Sequence, residues 1–162
     1  MINIYTDGSC EGNPGKGGWA AIIIDDEKRD VISGNEYYST NNRMELTAAI
    51  KGLEAAPEGS EVTVFSDSQY LVNTMNRNWK RKANNDLWNK VDILVTTHDV
   101  KWKWIKGHSG HPENEEADRI AGLQSGIVEG EHYSDLVTSR LTHLDEQGRV
   151  NMVDVGNKII SK

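Results

Sequence analysis

Alternating apolar and polar positions open the chain and predict its first strand. Along residues 2–7 (INIYTD), apolar or small side chains alternate with polar ones at the two-residue period of a strand. The carboxylate of Asp7 ends this pattern, and Gly8 follows it. A glycine beside a charged strand end lets another backbone, or a phosphate, approach closely. Taken alone, an Asp-Gly pair is more typical of an ordinary turn.

Four further runs predict strands, over residues 19–25, 31–39, 61–67 and 100–106. The short polar turn at residues 26–30 predicts that the two strands flanking it are antiparallel. The glycine-rich stretch at residues 11–18 predicts a hairpin-like loop before them. In the last strand Trp102 and Trp104 share one face, and we expect both tryptophans to fill the core.

Helical spacing of apolar residues predicts helices over residues 43–56 and 68–75, and two more that begin near residues 84 and 112. Strands that alternate with helices through the middle of the chain predict an α/β fold with parallel strands and crossover helices. Parallel neighbours end at the same edge of a sheet. Asp7 and Asp67 therefore lie side by side if the first and fourth strands pair.

Length and composition bound the class of protein. The 162 residues suit one domain, and no apolar run approaches the roughly 20 residues of a membrane span. A single cysteine excludes an internal disulfide and fits a reducing compartment. The N-terminus enters a strand without a basic and apolar leader. We therefore expect a cytoplasmic protein with no membrane partner.

Charge is unevenly distributed along the chain. The net charge is −7, which argues against a general nucleic-acid binder, yet residues 76–106 hold 8 basic and 3 acidic side chains and four of the five tryptophans. Tryptophans and cations interleave there at Trp79, Lys80, Arg81, Lys82 and Trp88. This interleaving suggests contacts to a nucleic-acid backbone, which we favour for residues 79–82, and the alternative is that the tryptophans fill the core while the cations are solvated.

Four acids recur in different predicted elements: Asp7, Glu45, Asp67 and Asp118. If they converge they repel one another, and hard divalent cations such as Mg²⁺ relieve that repulsion. Two such ions about 3.5–4 Å apart can activate a water and stabilise the leaving oxygen at a phosphodiester. Zinc is disfavoured because the acids outnumber the sulfur and nitrogen ligands. Glu45 taken alone also fits the first turn of a helix, where it complements the helix dipole.

The loop at residues 107–112 (GHSGHP) carries two histidines. His108 is interpreted as a mobile proton carrier near the acids and His111 as a residue that structures the loop, since further nitrogen or sulfur ligands for a transition metal are missing from it. Ser109 lacks the Gly-x-Ser-x-Gly elbow of a serine hydrolase. The chain also contains no Walker phosphate loop and no dinucleotide fingerprint.

Several blocks of sequence occur in the order found in one known family. YTDGSCEGNPGKGGW, TNNRMEL, SDSQY and WIKGHSGHPENEEAD resemble the type 1 ribonucleases H across residues 1–124. The resemblance implies a ribonuclease H-like α/β fold, a mixed five-stranded sheet flanked by helices. It implies an endonuclease that hydrolyses the RNA strand of RNA–DNA hybrids with two Mg²⁺ ions, or Mn²⁺ in their place. The products would carry 5′-phosphate and 3′-hydroxyl ends.

The resemblance also assigns roles by residue. It implies metal ligands at Asp7, Glu45, Asp67 and Asp118, and a role for His108 in water activation or product release. It implies hybrid contacts, partly through 2′-hydroxyl groups, and a pocket for a DNA-strand phosphate made by Asn13 and Thr40. The full set of implied substrate-binding residues is Cys10, Asn13, Thr40, Asn41, Asn42 and Gln69.

Two departures from the family pattern stand out. The basic protrusion of many bacterial relatives is here reduced to residues 77–82, and residues 125–162 match nothing in the pattern. We therefore expect a catalytic domain at residues 1–124 and a C-terminal extension of unknown role at residues 125–162, in a protein that acts as a monomer. The alternatives are another nuclease or strand-transfer enzyme on the same fold, or a hybrid-binding module without catalysis.

Overall fold

The computed structural model describes residues 1–126, so most of the predicted extension lies outside the described residues. The described part forms five strands and four helices in α/β order. The strands are β1 (Ile2–Glu11), β2 (Gly15–Asp25), β3 (Lys28–Ser39), β4 (Glu61–Ser66) and β5 (Asp99–Trp104). The helices are α1 (Asn41–Ala55), α2 (Gln69–Arg77), α3 (Asn85–Thr97) and α4 (Pro112–Ser125).

The strands make one mixed sheet in the order β3-β2-β1-β4-β5. The pairs β1–β2 and β2–β3 are antiparallel, whereas β1–β4 and β4–β5 are parallel. This confirms both the predicted mixed five-stranded sheet and the pairing of the first strand with the fourth. Parallel neighbours need a crossover connection, and α1 lies in the connection between β3 and β4.

Two strands begin earlier than the sequence pattern predicts. β2 starts at Gly15 because Lys16 pairs with Glu11 of β1, so the predicted glycine loop shrinks to a turn. β3 starts at Lys28, where that residue pairs with Asp25 across a tight turn with Asp26 at a φ of 56°. Polar residues join the ladder here because a two-residue hairpin turn leaves no room for a longer loop.

The two faces of the sheet are buried by different helices. A larger core lies under α1, α2 and α3 and includes Ile4, Leu53 and Val64, none of which is exposed. A smaller core lies under α4, where Ala117 and Ala121 pack against the β2 side chains. Small residues let α4 approach closely: a Cβ on Gly18 would lie 2.2 Å from the carbonyl oxygen of Ala121. Among residues 1–126, no helix is both long and apolar enough to cross a bilayer.

The two strand tryptophans differ in burial. Trp102 is 8% exposed and belongs to the core, as predicted. Trp104 is 44% exposed, so the expectation that it fills the core is wrong. It is the last residue of the edge strand β5, and its indole Nε1 donates a hydrogen bond to the backbone oxygen of Asp67 at 3.1 Å. The side-chain period gives the face that a residue occupies but does not give the depth of cover at a strand end.

Gly18→Ala should destabilise the protein, because the new Cβ would overlap the backbone of α4. Overpacking of this kind costs about 1–3 kcal/mol and sometimes more. Chemical denaturation of the variant measures the cost. Equal stability of Gly18→Ala and the parent chain would contradict the close packing of α4.

Candidate active site

The parallel pairing of β1 with β4 places two acids side by side where that ladder ends, although β1 itself continues past the predicted strand end at Asp7 to Glu11. Thr6 pairs with Ser66, and Asp7 and Asp67 are the next residue on each chain. Neighbouring strands lie about 4.7–4.9 Å apart, which is within reach of two carboxylates. The predicted meeting of Asp7 and Asp67 follows directly from this register.

Glu45 joins them because α1 packs unusually close to β1. A Cβ on Gly8 would lie 2.5 Å from the backbone nitrogen of Glu45, so only glycine permits this contact. Thr40 occupies the N-cap position of α1, and its hydroxyl accepts a hydrogen bond from the backbone N–H of Arg43 at 3.2 Å. The helix therefore begins at Asn41, and no acid lies in its first turn. The alternative role of Glu45 as a first-turn partner of the helix dipole is wrong.

The carboxylates of Asp7, Glu45 and Asp67 each offer an oxygen, and these oxygens all lie within 4.8 Å of one another. Asp7 is only 3% exposed, and the other two acids are partly buried. Oxygen donors at this spacing suit a hard divalent cation, which Asp and Glu carboxylates bind in proteins. The donor set thus fits a metal site without sulfur or imidazole ligands.

Asp118 is not a member of this group of three, although its helix runs beside β1. The hydroxyls of Ser9 and Ser125 lie 3.4 Å apart and fix the end of α4 against β1. Asp118 precedes Ser125 by about 10 Å of helix, and Asp7 precedes Ser9 by about 7 Å of strand. The pKa of Tyr5 is raised by burial and by the charge of Glu113 at the start of α4, so α4 runs in the same direction as β1. Asp118, which is partly buried, therefore lies near the level of Asp7 along β1.

The loop between β5 and α4 packs closely against Asp67. A Cβ on Gly107 would lie 2.9 Å from Oδ2 of Asp67. The next residue, His108, therefore lies beside the acids. His108 is exposed and has a φ of 56°. His111 is the N-cap residue of α4, and its carbonyl oxygen accepts a hydrogen bond from the backbone of Glu115 at 3.0 Å. The Ser109 hydroxyl donates to the carbonyl oxygen of Lys106, which makes it a turn residue.

The predicted substrate-binding residues lie around the starts of two helices. The Oδ1 atom of Asn13 accepts a hydrogen bond from the backbone N–H of Asn41 at 3.0 Å, which joins the first loop to α1. The thiol of Cys10 donates to the carbonyl oxygen of Ser39 at 3.3 Å, and burial raises the pKa of this thiol. Asn42 is exposed on α1, and Gln69 is exposed at the start of α2.

The basic segment after α2 is only partly available for nucleic acid. Trp88 is 1% exposed and donates its indole N–H to the hydroxyl of Tyr70 at 3.0 Å, so its expected nucleic-acid contact is wrong. Arg81 stacks over the Trp88 ring at 4.8 Å and binds Asp92 at 2.6 Å. Trp79 is 45% exposed, and Lys80 and Lys82 are exposed as well. The helical period of α3 buries Trp88, whereas residues 78–84 have no helix or strand period.

An ion pair that sequence reasoning missed ties α1 to α3. Both terminal nitrogens of Arg43 donate to the Asp86 carboxylate, at 2.7 and 3.0 Å, and Nη1 also donates to Oδ1 of Asn84 at 3.2 Å. This contact lowers the pKa of Asp86 to about 2. Arg43 precedes Glu45 by two residues, so the pair steadies the turn that carries the acid. No local signal connects two residues so far apart in sequence.

The fold and site together define an α/β protein with a carboxylate cluster at the edge of a mixed sheet. Comparison of the sequence with protein families identifies that of RNase H over residues 1–125. The chain belongs to the ribonuclease H family, and the predicted enzyme class, a ribonuclease H, is confirmed.

This chain matches similar proteins over nearly their whole length. It is 43% identical over 146 residues to a ribonuclease H from Thiobacillus denitrificans, covering 82% of this chain and 97% of the relative. It is 46% identical over 142 residues to one from Pseudomonas savastanoi, covering 80% and 95%. The N-terminal RNase H domain of a Mycobacterium tuberculosis protein superposes with a TM-score of 0.69 at 26% identity, covering 76% and 92%. LC11-RNase H1 in complex with an RNA/DNA hybrid gives 0.63 at 25% identity, covering 75% and 96%.

Gly8→Ala should weaken the site as well as the fold, because α1 must move away from β1 and carry Glu45 with it. We expect a loss of about 1–3 kcal/mol in stability, together with a smaller rise of the melting temperature on adding Mg²⁺. Thermal unfolding at increasing Mg²⁺ measures both effects.

The matched control for this variant is Gly52→Ala, also on α1 against β1, where the new Cβ would lie 2.8 Å from a methyl group of Ile4. That variant should change stability and keep the full response to Mg²⁺. If the two variants respond alike to Mg²⁺, the close contact at Gly8 does not position Glu45.

Proposed function

We propose that this enzyme is an endonuclease that hydrolyses the RNA strand of RNA–DNA hybrids and leaves 5′-phosphate and 3′-hydroxyl ends. One observation carries the proposal: in a chain of the ribonuclease H family, Asp7, Glu45 and Asp67 bring carboxylate oxygens within 4.8 Å of one another. The hybrid bound to LC11-RNase H1, a protein of similar fold, supports the choice of substrate.

The proposed metal ligands are Asp7, Glu45, Asp67 and Asp118. They would hold two divalent ions, Mg²⁺ or Mn²⁺, which activate a water and neutralise charge at the leaving oxygen when bound. The residues fit this role because oxygen-only donors at short spacing select hard cations. Asp118, on a different element from the group of three, can close the site from the side of α4.

The other proposed roles surround the acids. His108 is exposed beside Asp67 and would carry a proton between the site and solvent, since an imidazole nitrogen can donate or accept a proton. Cys10, Asn13, Thr40, Asn41, Asn42 and Gln69 would contact the hybrid. Amide and hydroxyl groups there can recognise the 2′-hydroxyl that distinguishes RNA from DNA. Three exposed side chains would bind the nucleic acid through charge and stacking: Trp79, Lys80 and Lys82.

The proposal assigns catalysis to residues 1–124 and leaves residues 125–162 as an extension. The family match over residues 1–125 supports this division. A monomer suffices, because every proposed ligand comes from one chain. The single cysteine, Cys10, fits the reducing cytoplasm, where we place the enzyme.

Cleavage of a labelled hybrid tests the proposal directly. Purified protein with Mg²⁺ should cut the RNA strand internally, leave the DNA strand intact and stop when a chelator is added. Labels at each end of the RNA identify the product termini. Equal cleavage of duplex DNA, or digestion only from an end, would favour another nuclease on this fold, and hybrid binding without cleavage would leave a binding module.

Asp67→Asn should abolish turnover while the protein stays folded. Removal of one of three clustered carboxylates relieves repulsion in the absence of metal, so the melting temperature should hold or rise. The control is Asp25→Asn, which makes the same charge change at the opposite end of the sheet, where Asp25 pairs with Ile2. That control should keep full activity. A large fall in the melting temperature of Asp67→Asn would mark Asp67 as structural instead.

A further inference from the structure

A buried amide on α4 has a side-chain oxygen without a hydrogen-bond partner among residues 1–126. Asn114 is 2% exposed, and its Oδ1 atom has no hydrogen-bond partner among the described residues. Buried polar atoms in native proteins nearly always have a hydrogen-bond partner. An acceptor without one loses its hydrogen bonds to water on folding, and no hydrogen bond within the protein compensates for that loss. Something other than residues 1–126 is therefore expected to donate to this oxygen.

The position of Asn114 points to the acidic edge. It lies in the first turn of α4 and precedes Asp118 by four residues, so both side chains lie on one face of the helix. Ala117 and Ala121 continue that face and are fully buried against the sheet. Helical side chains tilt toward the N-terminus, which carries the amide toward the loop at residues 107–111 and away from the far end of the sheet.

A local structural role does not account for the amide. The N-cap position of α4 belongs to His111, so Asn114 is not the capping residue. Gln124 shows what a structural amide on the same helix looks like. It is 4% exposed and bonded through both ends, to Asn35 at 2.7 Å and to Ser33 at 2.8 Å. Asn114 is buried as deeply as Gln124, but its Oδ1 atom has no hydrogen-bond partner among residues 1–126.

The charges around Asn114 indicate which kind of group donates a hydrogen bond to its Oδ1 atom. An amide oxygen accepts hydrogen bonds or ligates cations, and it repels an anion. Asp118 lies one turn away, and Glu113 is adjacent in sequence, which adds negative charge and excludes a phosphate at this point. A hydrated divalent cation brings water whose hydrogens are strong donors, and Mg²⁺ in proteins usually keeps several such waters.

We propose that Asn114 is a positioning residue whose Oδ1 accepts a hydrogen bond from a water carried by the divalent cation at the acidic site. This inference rests on the proposed function, because it requires a cation at those acids. It adds to the site a neutral acceptor that orients the hydration shell on the side of α4 without adding charge.

The first test replaces the amide by an apolar side chain of similar size, Asn114→Leu. Without metal its melting temperature should hold or rise, because the unmet acceptor is gone. Its affinity for Mg²⁺, measured by calorimetry without substrate, should fall about tenfold, and cleavage of the hybrid should need correspondingly more Mg²⁺. Gln124→Leu is the matched control, which should lower the metal-free melting temperature and leave the affinity for Mg²⁺ unchanged.

A second variant keeps the test decisive if Asn114→Leu folds poorly. Asn114→Asp retains the acceptor and adds charge, so its metal-free melting temperature should fall and Mg²⁺ should restore it by more than in the parent protein. The inference is overturned if Asn114→Leu loses metal-free stability as Gln124→Leu does and binds Mg²⁺ like the parent. A parent protein that neither binds Mg²⁺ nor cleaves the hybrid would remove the proposed function and this inference together.

Discussion

Parallel pairing of β1 with β4 is the constraint on which the site depends. The ladder that joins Thr6 to Ser66 leaves Asp7 and Asp67 at one edge, where two carboxylates repel each other. The pairing survives because the same strands bury Ile4 and Val64 completely on their inner face. The apolar core thus offsets the electrostatic cost of bringing the acids together, and a bound cation would remove much of that cost.

Close backbone contacts set the remaining geometry. The backbone of α1 closely approaches β1 at Gly8, and the loop before α4 closely approaches Asp67 at Gly107. Both glycines sit beside an acid, so the absence of a side chain is what lets a second element reach the cluster. The ion pair of Arg43 with Asp86 then steadies the start of α1 from the far side. Rigid elements, each fixed by packing away from the edge, hold the functional groups in place.

Particular residues show how far sequence reasoning reaches. Helical and strand periods found every element of residues 1–126, and they placed Asp7 beside Asp67 on the condition that the first and fourth strands pair. The strand period misjudged Trp104, which is exposed at a strand end, and the interleaving of tryptophans with cations misjudged Trp88, which is buried beneath Arg81. The period of a helix or strand predicts which side of that element a side chain faces. Burial depends on which distant element covers that direction, and this is a property of the whole fold.

The sequence by itself determined the kinds of elements, the chemistry of the acids and the resemblance to the ribonuclease H family, because these depend on local spacing and residue type. Only the tertiary structure decided that Glu45 joins Asp7 and Asp67 within 4.8 Å, that Asp118 lies outside that group, and that Asn114 is buried with no partner for its Oδ1 atom within residues 1–126. These facts depend on how closely helices pack on the sheet. That distance is set by contacts between residues far apart in the chain, which no local pattern records.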